Sequence, residues 1–162
     1  CEKYKKATDI KKDKHEAFYN WGIALGAIAE LKEGKQKEQF LKEACEKYKK
    51  ATDIKKDKHE AFNNWSGTLI LLSYIKKGKQ QQEALRNAIE KAKKANEIKE
   101  GEGCYNIACI HSLLNESEEA LHYLEKAIEY NPSYKKDAQG DGDFAPLKSN
   151  KKLNKKFEEL CT

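Results

Sequence analysis

From Glu16 onward, Phe18, Trp21, Leu25, Ile28 and Leu31 recur at steps of three and four residues. That spacing gathers side chains on one face of an α-helix. Gly34 follows with lysines on both sides, which suits the left-handed residue that closes a helix. A second apolar run takes Phe40, Leu41, Ala44, Tyr48, Ala51 and Ile54 before the polar stretch 55–57 interrupts it. The same order returns with Phe62, Trp65, Leu69, Leu72 and Ile75, then Gly78, then Leu85, Ala88, Ala92, Ala95 and Ile98. Strand-like alternation of useful length is missing. The pattern predicts an all-α chain of consecutive antiparallel helix pairs.

The recurrence is literal as well as periodic. Residues 1–18 and 45–62 both read CEKYKKATDIKKDKHEAF, an offset of 44 residues, and 27 of the 44 aligned positions are identical. A third copy is weaker but keeps the frame: EKAKKANEI at 90–98 echoes EKYKKATDI, and Asn106 echoes Asn20 and Asn64. Self-similarity at such a period signals stacked supersecondary units.

The third copy, CYNIACIHSLLNESEEALHYLEKAIEYNP at 104–132, resembles a tetratricopeptide repeat throughout. Small Ala108 sits where a first helix meets its partner. Ala120, Leu124 and Ala127 follow along a second helix, and Pro132 ends the unit. The resemblance implies helices over about 103–114 and 117–131. The earlier copies fit it with Trp21/Gly22 and Trp65/Ser66 in the first helix, but depart in length, since the family period is about 34 residues. They read as a long-helix variant in which both helices of a pair gain more than a turn. The segment 133–160 resembles the closing tail of such arrays: a half-unit helix, a turn with Phe144, Pro146 and Leu147, and a last helix with Leu153, Phe157 and Leu160. It would cover the apolar face of the last pair, as solenoid ends require.

The resemblance therefore implies a right-handed TPR-like α-solenoid with a C-terminal capping helix over 1–162. Its parts are a partial second helix at 1–14, repeats at 15–56, 57–99 and 103–132, and a cap at 133–162. The array starts in mid-unit, so Tyr4 and Ile10 are expected either to meet upstream repeats or to associate end to end with another copy.

Composition narrows the function classes. The 162 residues are 36% charged, with 32 Lys and Arg against 27 Asp and Glu, and mean hydropathy is −0.96. No apolar run approaches the ~18 residues of a membrane span. Five cysteines, an odd number without a CxxC pair, read as small packing residues in a reducing, cytoplasmic setting. Residues 1–100 carry +8 and residues 101–162 carry −3. The lysines interleave with acids at helical spacing, as in Glu46/Lys50, so a solvated face is favoured over a nucleic-acid surface.

Candidate chemistry is sparse. GxSxG, HExxH, Walker and GxGxxG motifs do not occur, so no catalytic residue is assigned and the chain reads as non-enzymatic. His15 and His59 are copies of one repeated position, and Cys109 and His111 point to different sides of a helix, so no metal site and no cofactor is assigned. Asp137, Gln139, Asp141, Gly142 and Asp143 resemble the opening of a calcium loop, but Lys148 stands where its bidentate Glu belongs.

In tetratricopeptide arrays the first helices line a concave groove that takes peptides. Carried onto this sequence, the groove positions are Tyr19, Asn20, Ile23, Gly26, Ala27, Asn63, Asn64, Gly67, Ile70, Leu71, Tyr105, Asn106, Cys109 and Ser112. The recurring asparagines either bind a partner's backbone or brace adjacent helices. Glu16, Glu60 and Glu102 stand where a carboxylate-clamping variant would need bases. The sequence thus points to a protein-interaction scaffold with an unidentified protein or peptide partner. The alternative is a self-assembling structural repeat protein.

Overall fold

A computed structural model of the chain describes residues 3–4 and 15–162. Among them there are nine α-helices and no strand. Three helix pairs follow one another: α1 (His15–Glu30) with α2 (Gly34–Ile54), α3 (His59–Ile75) with α4 (Lys79–Ile98), and α5 (Cys104–Leu113) with α6 (Ser117–Tyr130). Each pair packs on the next mainly through α2 on α3 and α4 on α5. The closing segment holds α7 (Tyr134–Gly140), a 3₁₀ turn (Gly142–Phe144), α8 (Ala145–Ser149) and α9 (Asn154–Cys161).

The apolar periodicity explains which faces are buried. Along the second helices, Ala44, Tyr48 and Ala51, then Ala88, Ala92 and Ala95, then Ala120, Leu124 and Ala127 are all buried. The first helices answer with the small buried residues Gly22, Ser66 and Ala108. Small side chains on both partners bring helix axes close, and the larger apolar residues fill what remains. The first two pairs are longer than the third: α1 and α2 have 16 and 21 residues, against 10 and 14 for α5 and α6.

Gly34 and Gly78 do adopt left-handed backbone, at φ 52° and 55°. They open the second helices rather than close the first, which end at Glu30 and Ile75. Three-residue links need one such residue to turn the chain, and a side chain there would cost about 1 kcal/mol. Leu31 lies beyond the end of α1 and is 83% exposed, so it is not part of the buried stripe. The stripe ends instead on Ala29, which packs with Leu41 and Leu72.

The closing segment covers the third pair. Phe144, Leu147, Leu153, Phe157 and Cys161 are buried in one cluster with Ala120, Leu124 and Ile128. A fully buried side chain of this size contributes about 1.5–3 kcal/mol. Of the two N-terminal association candidates, Tyr4 is half-buried and Ile10 lies outside the described residues, as does most of the partial unit at 1–14. No helix among the described residues is long and apolar enough to cross a membrane.

Candidate binding groove

The first helices α1, α3 and α5 lie side by side because each is held down by its own second helix. Between them runs a depression of about 360 Å³. Its α1 wall is Ile23, Gly26, Ala27 and Glu30, three- and four-residue steps along one face. Its α3 wall is Asn63, Asn64, Gly67, Thr68 and Leu71, with Asn106 of α5 at the far side and Tyr48 of α2 beneath. Ile23 is 41% exposed. A Cβ added at Gly26 would meet nothing within 4 Å, and one at Gly67 only Asn106 Nδ2 at 4.0 Å.

The polar groups of this face hold the layers together. Asn64 Nδ2 donates to Tyr19 Oη at 3.1 Å. Asn106 Nδ2 donates to Asn63 O at 3.0 Å and to Asn63 Oδ1 at 2.9 Å. In both layers, then, the recurring asparagine reaches the residue one place ahead of its own counterpart in the layer before. Asn20, the first of the series, is exposed and does not line the depression.

The helix starts are tied by charge. Lys58 Nζ pairs with Glu16 at 2.8 Å and lies 4.7 Å from the centre of the Tyr19 ring. His59 Nδ1 approaches Glu102 at 3.5 Å, and Lys99 approaches the same carboxylate at 3.6 Å. Of the acids that stand in place of a carboxylate clamp, Glu16 and Glu102 therefore join layers, while Glu60 pairs with its neighbours Lys58 and His59.

Several expected groove residues lie elsewhere. Ile70 is 5% exposed and Cys109 2%, both inside the cluster that contains Phe144. Ser112 is fully buried. The third pair and its closing turn cover positions that remain open in the first pair. Tyr105 stacks on Tyr134 at 4.5 Å, meets Phe144 edge-on at 5.8 Å, and donates through Oη to Asp141 Oδ2 at 2.9 Å. Tyr19 is engaged by Asn64 and Lys58, and among the described residues only Ile23, Asn63, Asn64 and Asn106 of the expected set face the depression with the glycines, Ala27 and Leu71.

A polar lock closes the far end. Tyr74 Oη donates to Asp143 Oδ1. Asp141 caps its own turn by accepting from the Asp143 backbone N–H at 2.9 Å. The Cys109 thiol approaches Asp141 at 3.7 Å. Burial, with the two carboxylates beside it, pushes that thiol well above the usual range. Burial also raises the Asp143 carboxyl, against the Tyr74 bond that lowers it and with the Asp141 charge adding to the rise. Cys109, Asp141 and Asp143 put one ligand atom each within 4.8 Å of one another. Both carboxylates already accept protein donors, so the arrangement works as a hydrogen-bonded lock between solenoid and closing turn. The calcium-loop spacing is not realised as a ligand set: Gln139 Nε2 donates to Cys161 O at 2.9 Å.

Glu30, Tyr48, Thr68 and Tyr74 were not foreseen from sequence. Glu30 lies seven residues after Ile23, on the same helical face, and Tyr74 is its counterpart 44 residues on. That periodicity was available as a signal. The spacing of Tyr48 points only to the core, and the pairing of Tyr74 with Asp143, 69 residues away, has no local signal. A second depression, lined by Leu121, His122, Leu153 and Leu160, is the seam between α6 and α9.

Compared with known proteins, residues 101–134 match the family described as Tetratricopeptide repeat. No curated protein matches the chain.

Proposed function

We propose that this chain, an all-α helical repeat protein with a tetratricopeptide repeat at 101–134, is a non-enzymatic interaction scaffold that takes a peptide segment of a protein partner in the groove of α1, α3 and α5. One observation carries the reading: Gly26 and Gly67 leave open space on facing helices, beside the exposed apolar side chain of Ile23. Open space between apolar walls admits the side chains of a guest. The asparagines that could have wandered are already bonded across layers, so the walls are held before the guest arrives, which lowers the ordering cost of binding.

The test fills the groove without disturbing what lies beneath it. Gly26→Phe and Gly67→Phe replace helix-interior glycines, a change that favours the helix by a few tenths of a kcal/mol. A randomised short-peptide display library selected on the wild-type chain should yield binders that both variants fail to hold, with melting curves unchanged or shifted upward. Binders held equally well by wild type and both variants would place recognition on another surface.

A further inference from the structure

We infer that the end of α1 is a docking face for a further helix of the α2 kind, carried by another unit of the same 44-residue repeat. Its contact residues are Ile28, Leu31 and Lys32. This interface is separate from the groove and does not rest on it.

The junction between the first two pairs supplies the template. Leu72 of α3 packs with Leu41 of α2, in a cluster joined by Phe40, Leu69 and Ile75. Lys76, the residue after α3, reaches back to Glu38 near the start of α2 at 2.5 Å. Apolar residues on the last turn of a first helix, with a lysine just beyond, thus seat the opening half of a second helix from the layer before.

These residues have counterparts 44 places earlier: Ile28 for Leu72, Leu31 for Ile75 and Lys32 for Lys76. Their surroundings differ. Leu72 is 7% exposed and Ile75 half-buried, whereas Ile28 is half-buried and Leu31 is 83% exposed. Among the described residues, Lys32 enters no salt bridge. What they lack is the chemistry that Glu38, Phe40 and Leu41 provide one layer on: an acid for the lysine, then apolar side chains for the isoleucine and leucine. α1 and α3 both open on HEAF and share Asn20/Asn64, Trp21/Trp65 and Leu25/Leu69, so the surface that α2 offers to α3 also fits α1. Units of this sort bury their apolar faces against neighbours of the same kind. At the other end of the array Phe144, Leu147 and Phe157 cover the third pair, so stacking through α1 has one direction.

The probe is a synthetic peptide of residues 34–54, the α2 sequence, titrated into the full chain and followed by fluorescence anisotropy. The inference expects saturable one-to-one binding that weakens at least about tenfold on Leu31→Glu. Lys32→Glu should weaken it as well, and a peptide carrying Glu38→Lys should bind the Lys32→Glu chain better than it binds wild type. Leu31 and Lys32 lie outside the helices, so melting curves of both variants should match wild type. Absence of saturable binding overturns the inference. So does binding indifferent to both changes; if that binding falls on Lys76→Glu, the peptide has displaced the chain's own α2.

Discussion

Gly22 lies so close to the ring of Tyr48 that a Cβ on it would fall 2.6 Å from Cε1 and 2.9 Å from Cδ1. Tyr48 is itself only 3% exposed. The same place in the next two layers pairs Ser66 with Ala92, then Ala108 with Leu124, all buried. Each layer thus balances a small residue on one helix against what its partner projects, and the first layer takes this furthest.

Gly22→Ala should therefore lower stability by about 1–3 kcal/mol through overpacking. This is expected despite the gain in helix propensity, about 1 kcal/mol, that alanine brings. Adding Tyr48→Leu, the combination of the third layer, should recover part of the loss, so the two changes will be non-additive in urea unfolding. An alanine variant as stable as wild type would show that the ring yields freely.

The asparagine ladder should be measurable layer by layer. Asn64→Ala removes one interlayer hydrogen bond and is expected to cost about 1 kcal/mol. Asn106→Ala removes both of its hydrogen bonds to Asn63 and should cost more, about 1–2 kcal/mol. Equal and negligible losses in chemical denaturation would remove the ladder from the stability account.

Glu38 reports on contact between the first two pairs. Bonds from Lys42 and Lys76 hold its carboxyl down at about 2, from an ordinary 4.5. A depressed acid stabilises the fold above its unfolded value and loses that contribution as pH falls through the folded one. Glu38→Gln should thus be less stable than wild type at neutral pH, with the gap closing between about 4.5 and about 2. Because the side chain faces water, added salt should shrink the gap at neutral pH. A gap independent of pH would assign the effect to packing.

Asp143 has the opposite sign. Burial raises its carboxyl, so the charged form present at neutral pH weakens the fold relative to the protonated one. Asp143→Asn keeps an acceptor for Tyr74 and should raise the melting temperature at pH 7. The advantage should fade as acid protonates the native aspartate. A fall in melting temperature would show that the charge is needed by the lock.

The helix pairs were legible because their signal is local. Apolar steps of three and four residues placed α1 to α4, and the resemblance to a tetratricopeptide repeat placed α5 and α6. Lys47 Nζ lies 4.2 Å from the centre of the Trp21 ring, and Lys91, 44 residues on, lies 4.8 Å from that of Trp65. The groove was only partly legible. Ile23 and Asn63, carried over from the resemblance, line the depression, but Ile70 and Cys109, carried over in the same way, lie in the buried cluster that contains Phe144. What covers a face depends on a segment more than thirty residues away, which periodicity does not encode. Leu31 failed for a simpler reason: its phase was right, but the helix had already ended.

The central claim is that recognition happens between α1 and α3, and amide chemical-shift mapping tests it most directly. A peptide from the display selection, titrated into isotope-labelled protein, should shift the amides of Ile23, Gly26, Ala27, Gly67 and Leu71 first and most. Lys47 and Lys91, on the second helices, should stay in place. Shifts that instead gather on α2 and α4, with Gly26 and Gly67 unmoved under saturating peptide, would contradict the account.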